Sequence, residues 1–132
     1  MPSFLRGRSG QFVIAVSLMT VGFWISRTAW AGTVSQAKIV GIGMATGSGS
    51  VLVEMSKPLD NRAGCVSVEF PSAFALAINT ERGRAILSLL TSALVAGKTV
   101  NILGSGTCSA VSSWTGTGGR AENVVSVSVA GT

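Results

Sequence analysis

The chain has 132 residues, of which 47% are apolar and 11% charged. That balance is too hydrophobic for a disordered chain, and the length suits one domain rather than two. Ten basic against five acidic residues give +5, and there is no histidine, which excludes Ser-His-Asp and Cys-His catalysis.

The first 31 residues have the three parts of a secretion signal. Arg6 and Arg8 supply the positive start, and residues 12–25 run without a charge. Ser26-Arg27-Thr28-Ala29-Trp30-Ala31 then ends in Ala-Trp-Ala ahead of Gly32, the small-residue spacing that signal peptidase accepts. A membrane anchor is the alternative, but a spanning helix needs about 20 apolar residues. The expected division is therefore a cleaved signal, residues 1–31, and one secreted or periplasmic domain, residues 32–132, with no membrane span. Arg6, Arg8 and Arg27 leave with the signal, so seven basic residues face five acidic ones, a net +2. Those seven are scattered rather than gathered into the dense patch that nucleic acid requires.

Residues 33–44 begin the domain with Val40, Ile42 and Met44 on one parity, and Gly47-Ser48-Gly49 reads as a turn. Residues 50–55 put Val51, Val53 and Met55 on one face opposite Glu54, the period of a strand. Pro58 and Asp60-Asn61 mark the next turn. Residues 65–70 alternate again, with Val66, Val68 and Phe70 opposite Cys65, Ser67 and Glu69. After Pro71, Phe74, Leu76 and Ile78 extend this as a short strand. The period then changes: Ile86, Leu89, Leu90, Ala93 and Leu94 form a helical stripe. Asn79 or Thr80 can cap it and Gly97 can end it, predicting a helix over 80–96. Residues 98–103 and 122–129 read as two further strands, separated by a Gly/Ser/Thr-rich loop over 104–120 that holds Cys108 and Trp114.

The fold class is thus mainly β with one helix, in the order β-β-β-α-β-β. That is the order of an OB-fold, a five-stranded Greek-key barrel. An open sheet covered by one helix is the alternative.

Cys65 and Cys108 are the only cysteines, and an even pair in an exported chain reads most simply as a disulfide. It would close a loop of about 44 residues and contribute up to about 4 kcal/mol. A metal site is the alternative, but two thiols without histidine make a poor ligand set. No metal and no cofactor are expected. Gly41-Ile42-Gly43-Met44-Ala45-Thr46-Gly47 misplaces the last glycine of a dinucleotide fingerprint, and Gly104-Ser105-Gly106 lacks the lysine of a phosphate loop. The serines are many and nothing singles one of them out as a nucleophile, and the expectation is that the protein is not an enzyme.

Trp114 is the one tryptophan of residues 32–132 and lies among serines and threonines. It is the candidate ligand-binding residue, a stacking platform for a sugar ring. The competing reading makes it a lid folded onto the barrel, which the usual burial of large aromatics favours. With Phe70 and Phe74 as the other aromatics of this part, the several stacking rings of a single-strand binder are missing. The helix carries no charge from Ala85 to Gly97 and would show Ser88, Thr91, Ser92 and Val95 outward, a face that suits another subunit and equally a merely bland surface.

Gly83-Arg84-Ala85-Ile86-Leu87-Ser88-Leu89-Leu90-Thr91-Ser92-Ala93, then Ala96-Gly97-Lys98-Thr99-Val100-Asn101-Ile102 and Gly104-Ser105-Gly106-Thr107-Cys108, together with Cys65, resemble small exported bacterial OB-fold proteins. These are similar to the binding (B) subunit of subtilase-type cytotoxins. The resemblance implies a homopentamer that recognises a surface glycan, with the helices lining a central channel and a separate catalytic subunit as partner. It carries over no sugar-contacting residue. The expected function is a secreted or periplasmic binding module with a glycan ligand. The alternatives are a stand-alone periplasmic structural or stress-related protein that binds no sugar and, behind it, a small secreted hydrolase.

Overall fold

In the computed structural model, which describes residues 31–44 and 49–130, the chain is mainly β with one helix. Five strands, β1 (Thr33–Met44), β2 (Ser50–Met55), β3 (Ala73–Ala77), β4 (Thr99–Ser112) and β5 (Gly118–Val129), are joined by one helix, α1 (Glu81–Ala96), between β3 and β4. The expected signal, but for Ala31, and turn residues 47–48 lie outside the described residues. In space the strands close into a barrel in the order β1-β2-β3-β5-β4. Pairing is antiparallel except between β3 and β5, which run parallel with Phe74 opposite Glu122 and Ala75 opposite Asn123. The spatial order therefore departs from chain order, because β5 inserts between β3 and β4.

The barrel interior takes Val51, Val53 and Met55 from β2, as their parity predicts, together with Phe74 and Leu76 of β3 and Val100 and Ile102 of β4. Phe74 has no exposed surface, and truncating such a ring to alanine costs about 3–5 kcal/mol. β1 departs from simple alternation. Its register shifts between Val34 and Ala37, where Gln36 takes φ 50°, and again between Ile39 and Gly41. Each bulge changes which parity points inward. Val34, Ala37 and Ile39 are consequently the buried residues, while Val40 and Met44 lie 60% and 63% exposed and only Ile42 of the expected trio packs against the core.

Helix α1 matches its capping signals and most of its apolar stripe; Leu89 of that stripe lies exposed, and Leu87 packs against the core instead. The Thr80 side chain accepts the Gly83 N–H at 3.0 Å, and Glu81 sits in the first turn, against the positive end of the helix dipole. At the other end Gly97 adopts φ 65°, and the N–H groups of Gly97 and Lys98 donate to Leu94 and Ala93, the paired bonds of a Schellman stop. Leu90 and Ala93 are buried in the barrel core, with Ile86, Leu87 and Leu94 packed beside them. A Cβ at Gly83 would run into the carbonyl oxygen of Ala77, so this glycine lets the first turn lie on the end of β3. Among the described residues no helix is long and apolar enough to cross a membrane.

Residues 65–70 are not a strand, which corrects the sequence reading. Val66 donates its N–H to Ala63 and Phe70 its N–H to Ser67, so these groups close local turns and are lost to a ladder. Val68 is 84% exposed. The third strand is the short 73–77 segment alone. Phe70, however, is buried, in a second cluster with Leu52, Ala73, Ala75, Val111 and Ala121. β2 and β3 are therefore covered on both faces, which explains why Leu52 and Ala75 are buried against the period-2 expectation.

The expected loop over 104–120 is also corrected. β4 continues to Ser112 and β5 starts at Gly118, so the Gly/Ser/Thr-rich stretch is mostly a long antiparallel arm. Small polar residues hide a strand because they lack the apolar alternation that marks one. The arm is bulged at residues 104–108. There Gly106, at φ 80°, donates its N–H to the carboxylate of Glu122 at 2.7 Å.

Candidate binding site at the hairpin tip

The β4–β5 arm turns at Ser113-Trp114-Thr115-Gly116. Gly116 donates its N–H to the Ser113 carbonyl at 2.9 Å and itself takes φ 88°, and Ser113 N–H closes on the Thr117 carbonyl at 2.9 Å. This is a three-residue hairpin loop in which glycine supplies the left-handed position. The hydroxyls hold the turn: Ser113 and Thr115 share a 2.7 Å hydrogen bond, and Ser113 Oγ accepts the Thr117 N–H at 3.1 Å. The indole of Trp114 remains 87% exposed. The structure therefore sets aside the lid reading: the ring stands at the tip of a turn braced by its polar neighbours.

Beneath the ring runs an open groove of about 230 Å³, bounded by Val40 and Ile42 of β1, Leu52 and Glu54 of β2, and Trp114. A second hollow of about 170 Å³ shares Val40 and Glu54 and reaches Glu69, Phe70 and Pro71. Each alone is smaller than the ~300–1,000 Å³ typical of small-ligand sites, and only the two together reach the lower part of that range. Glu54 pairs in register with Gly41 and its carboxylate lies over that glycine, where an added Cβ would sit 3.5 Å from Oε2. No hydrogen bond among the described residues uses that carboxylate. The lining residues carry two acidic side chains, Glu54 and Glu69, and no basic one.

Cys65 and Cys108 form a disulfide, with Cα atoms 6.0 Å apart. Both sulfurs are thereby occupied, which removes the metal-site alternative for this pair. The bond ties the 65–70 segment to β4, and two hydrogen bonds reinforce it: Ser67 N–H donates to the Arg120 carbonyl and Arg120 N–H donates to Ser67 Oγ. The disulfide braces the arm that carries Trp114 and the segment that carries Glu69, and lines neither hollow. Sequence reasoning singled out Trp114 and the cysteines but missed Glu54, whose outward parity was its only signal.

Gly104-Ser105-Gly106, which looked like a fragment of a phosphate loop, does cradle an anion, but an internal one, the carboxylate of Glu122. No group of three or more metal-ligating side chains occurs among the described residues. No family model, curated protein or solved structure matches this chain.

Proposed function

We propose that the protein is an exported OB-fold binding module that holds a surface glycan at the tip of its β4–β5 arm. The barrel order β1-β2-β3-β5-β4, with α1 between β3 and β4, supports the OB-fold, Greek-key reading. The observation that carries the function is the solvated indole of Trp114 above a groove that contains an unpaired carboxylate. An exposed ring gives the C–H face of a sugar an apolar partner, and Glu54 can accept hydrogen bonds from sugar hydroxyls. Glu54 and Glu69 repel anionic sugars, so the groove favours a neutral or amino sugar over a sialylated or sulfated one.

The outward face of α1 supports a homo-oligomer. Ser88, Thr91, Ser92 and Val95 are exposed there, and the hydroxyls of Thr91 and Ser92 donate back to the carbonyls of Leu87 and Ser88. Tied down in this way they demand little from water, which suits a subunit contact. A separate catalytic partner is part of the same reading, by resemblance alone.

Binding to an array of immobilised glycans tests the site. The expected hits are neutral or amino-sugar structures whose binding falls at least tenfold with Trp114→Ala. An array without hits, or hits indifferent to Trp114→Ala, would refute the site and favour a structural protein that binds no sugar.

A further inference from the structure

Among the described residues Glu122 is the one charged residue that is buried, with no exposed surface. Its Oε1 and Oε2 accept from the Gly32 nitrogen at 2.8 and 3.0 Å, and Oε1 also accepts the Gly106 N–H at 2.7 Å. Among the described residues no lysine or arginine pairs with it. A buried carboxylate is costly unless a cation or several hydrogen bonds compensate it. Here a single amide hydrogen of Gly32 is shared between two oxygens almost equally distant from the nitrogen.

The pocket is built around that nitrogen. A Cβ at Gly32 would overlap Glu122 Oε2, and one at Gly104 would overlap Oε1. A side chain at position 32 would have to displace the Glu122 carboxylate and would also crowd Leu59. The residue is also docked on both sides: Gly104 N–H donates to the Gly32 carbonyl at 2.7 Å, and Thr33 exchanges two hydrogen bonds with Asp60, at 2.9 and 2.8 Å. Gly32 is, in addition, the residue that directly follows Ala29-Trp30-Ala31.

We propose that the Ala31–Gly32 bond is the processing site and that the freed α-ammonium of Gly32 becomes the counter-ion of buried Glu122. In the cleavage, water adds across the bond: its hydroxyl goes to the Ala31 carbonyl carbon and its hydrogen to the Gly32 nitrogen. The new carboxylic acid releases a proton and the amine takes one up, giving carboxylate and ammonium at neutral pH. Signal peptidase is the hydrolase this step requires. The ammonium has three hydrogens and a full charge where the amide had one hydrogen and none, so each carboxylate oxygen gains its own charge-assisted bond. Processing thus completes the fold, and the processed form is the more stable one.

This inference rests on the export reading of residues 1–31, and the experiments separate the two. N-terminal sequencing of the exported protein is expected to begin at Gly32; any other start overturns the processing claim. For the ion pair, Ala-Ser is inserted between Ala31 and Gly32, so that cleavage after Ala31 leaves the ammonium two residues away. The processed wild type is expected to melt about 4–8 °C above the extended form, a difference of the size one sizeable interaction makes in a domain of this length. In the Glu122→Gln background, which keeps the shape and an acceptor, the gap should close. Equal melting of the two wild-type forms, or an unchanged gap in the Glu122→Gln background, would overturn the pairing. A second measurement needs no variant: acylation of the Gly32 α-amine at neutral pH, mapped by mass spectrometry, should be at least tenfold slower in the native protein than in urea. Equal rates would contradict a buried ammonium.

Discussion

The two ends of the β4–β5 arm invert the usual rule of burial. At the base, the charged side chain of Glu122 is fully enclosed; at the tip, the largest apolar side chain of the arm, Trp114, is 87% exposed. A buried polar group and an exposed large apolar one are the informative exceptions in a folded protein. Their surroundings differ in kind. At the base, Gly32 and Gly106 bring backbone N–H groups onto the carboxylate, and Gly104, which has no Cβ, leaves room for it. The tip has a rigid turn and an unpartnered ring. The first arrangement is built from the chain's own groups and serves stability. The second leaves its ring in solvent, where the proposed ligand would stack.

Substitutions along the arm can break this contrast. The largest effect is expected at the base: Glu122→Ala leaves two N–H donors without their acceptor, at about 1–3 kcal/mol each, so roughly 4 kcal/mol of stability should be lost in urea unfolding. An unchanged midpoint would mean that the carboxylate is dispensable. Next comes the disulfide midway along the arm. Cys65→Ser with Cys108→Ser should cost about 2–4 kcal/mol, visible as the same drop in midpoint that a reductant produces in the wild type. Gly104→Ala pushes a methyl into the carboxylate and should cost about 1–3 kcal/mol through overpacking. The smallest effect belongs to the tip. Trp114→Ala should move stability by no more than about 0.5 kcal/mol, as surface changes do, while abolishing glycan binding. A large loss of stability at Trp114 would erase the distinction between the two ends.

The parts legible in the sequence are those with local causes. Helix α1 follows from its 3.6-residue stripe, the Thr80 cap and the Gly97 stop, all within one segment. The cysteine pair follows from count and compartment. Val51, Val53 and Met55 face inward because β2 has no bulge. What escaped depends on distant partners. The alternation of residues 65–70 looked like a strand, yet their N–H groups close turns and Phe70 is buried under an arm that lies far along the chain. The arm itself was hidden by its serines, threonines and glycines, whose pairing is stabilised across strands rather than announced along them. Glu122 carries no signal beyond starting the expected strand 122–129, since nothing near it in sequence shows that Gly32 donates to it from 90 positions away. For Trp114, average burial points to a lid, whereas the braced turn leaves the ring in solvent.

Intrinsic fluorescence of a chain of residues 32–132 tests the central claim most directly, because the one tryptophan of that part is the ring in question. The free protein should emit as a water-exposed indole, and titration with a neutral or amino-sugar glycan should shift that emission to the blue and saturate, while a sialylated analogue leaves it unchanged. Emission already characteristic of a buried ring, or no saturable response to any glycan, would contradict the account.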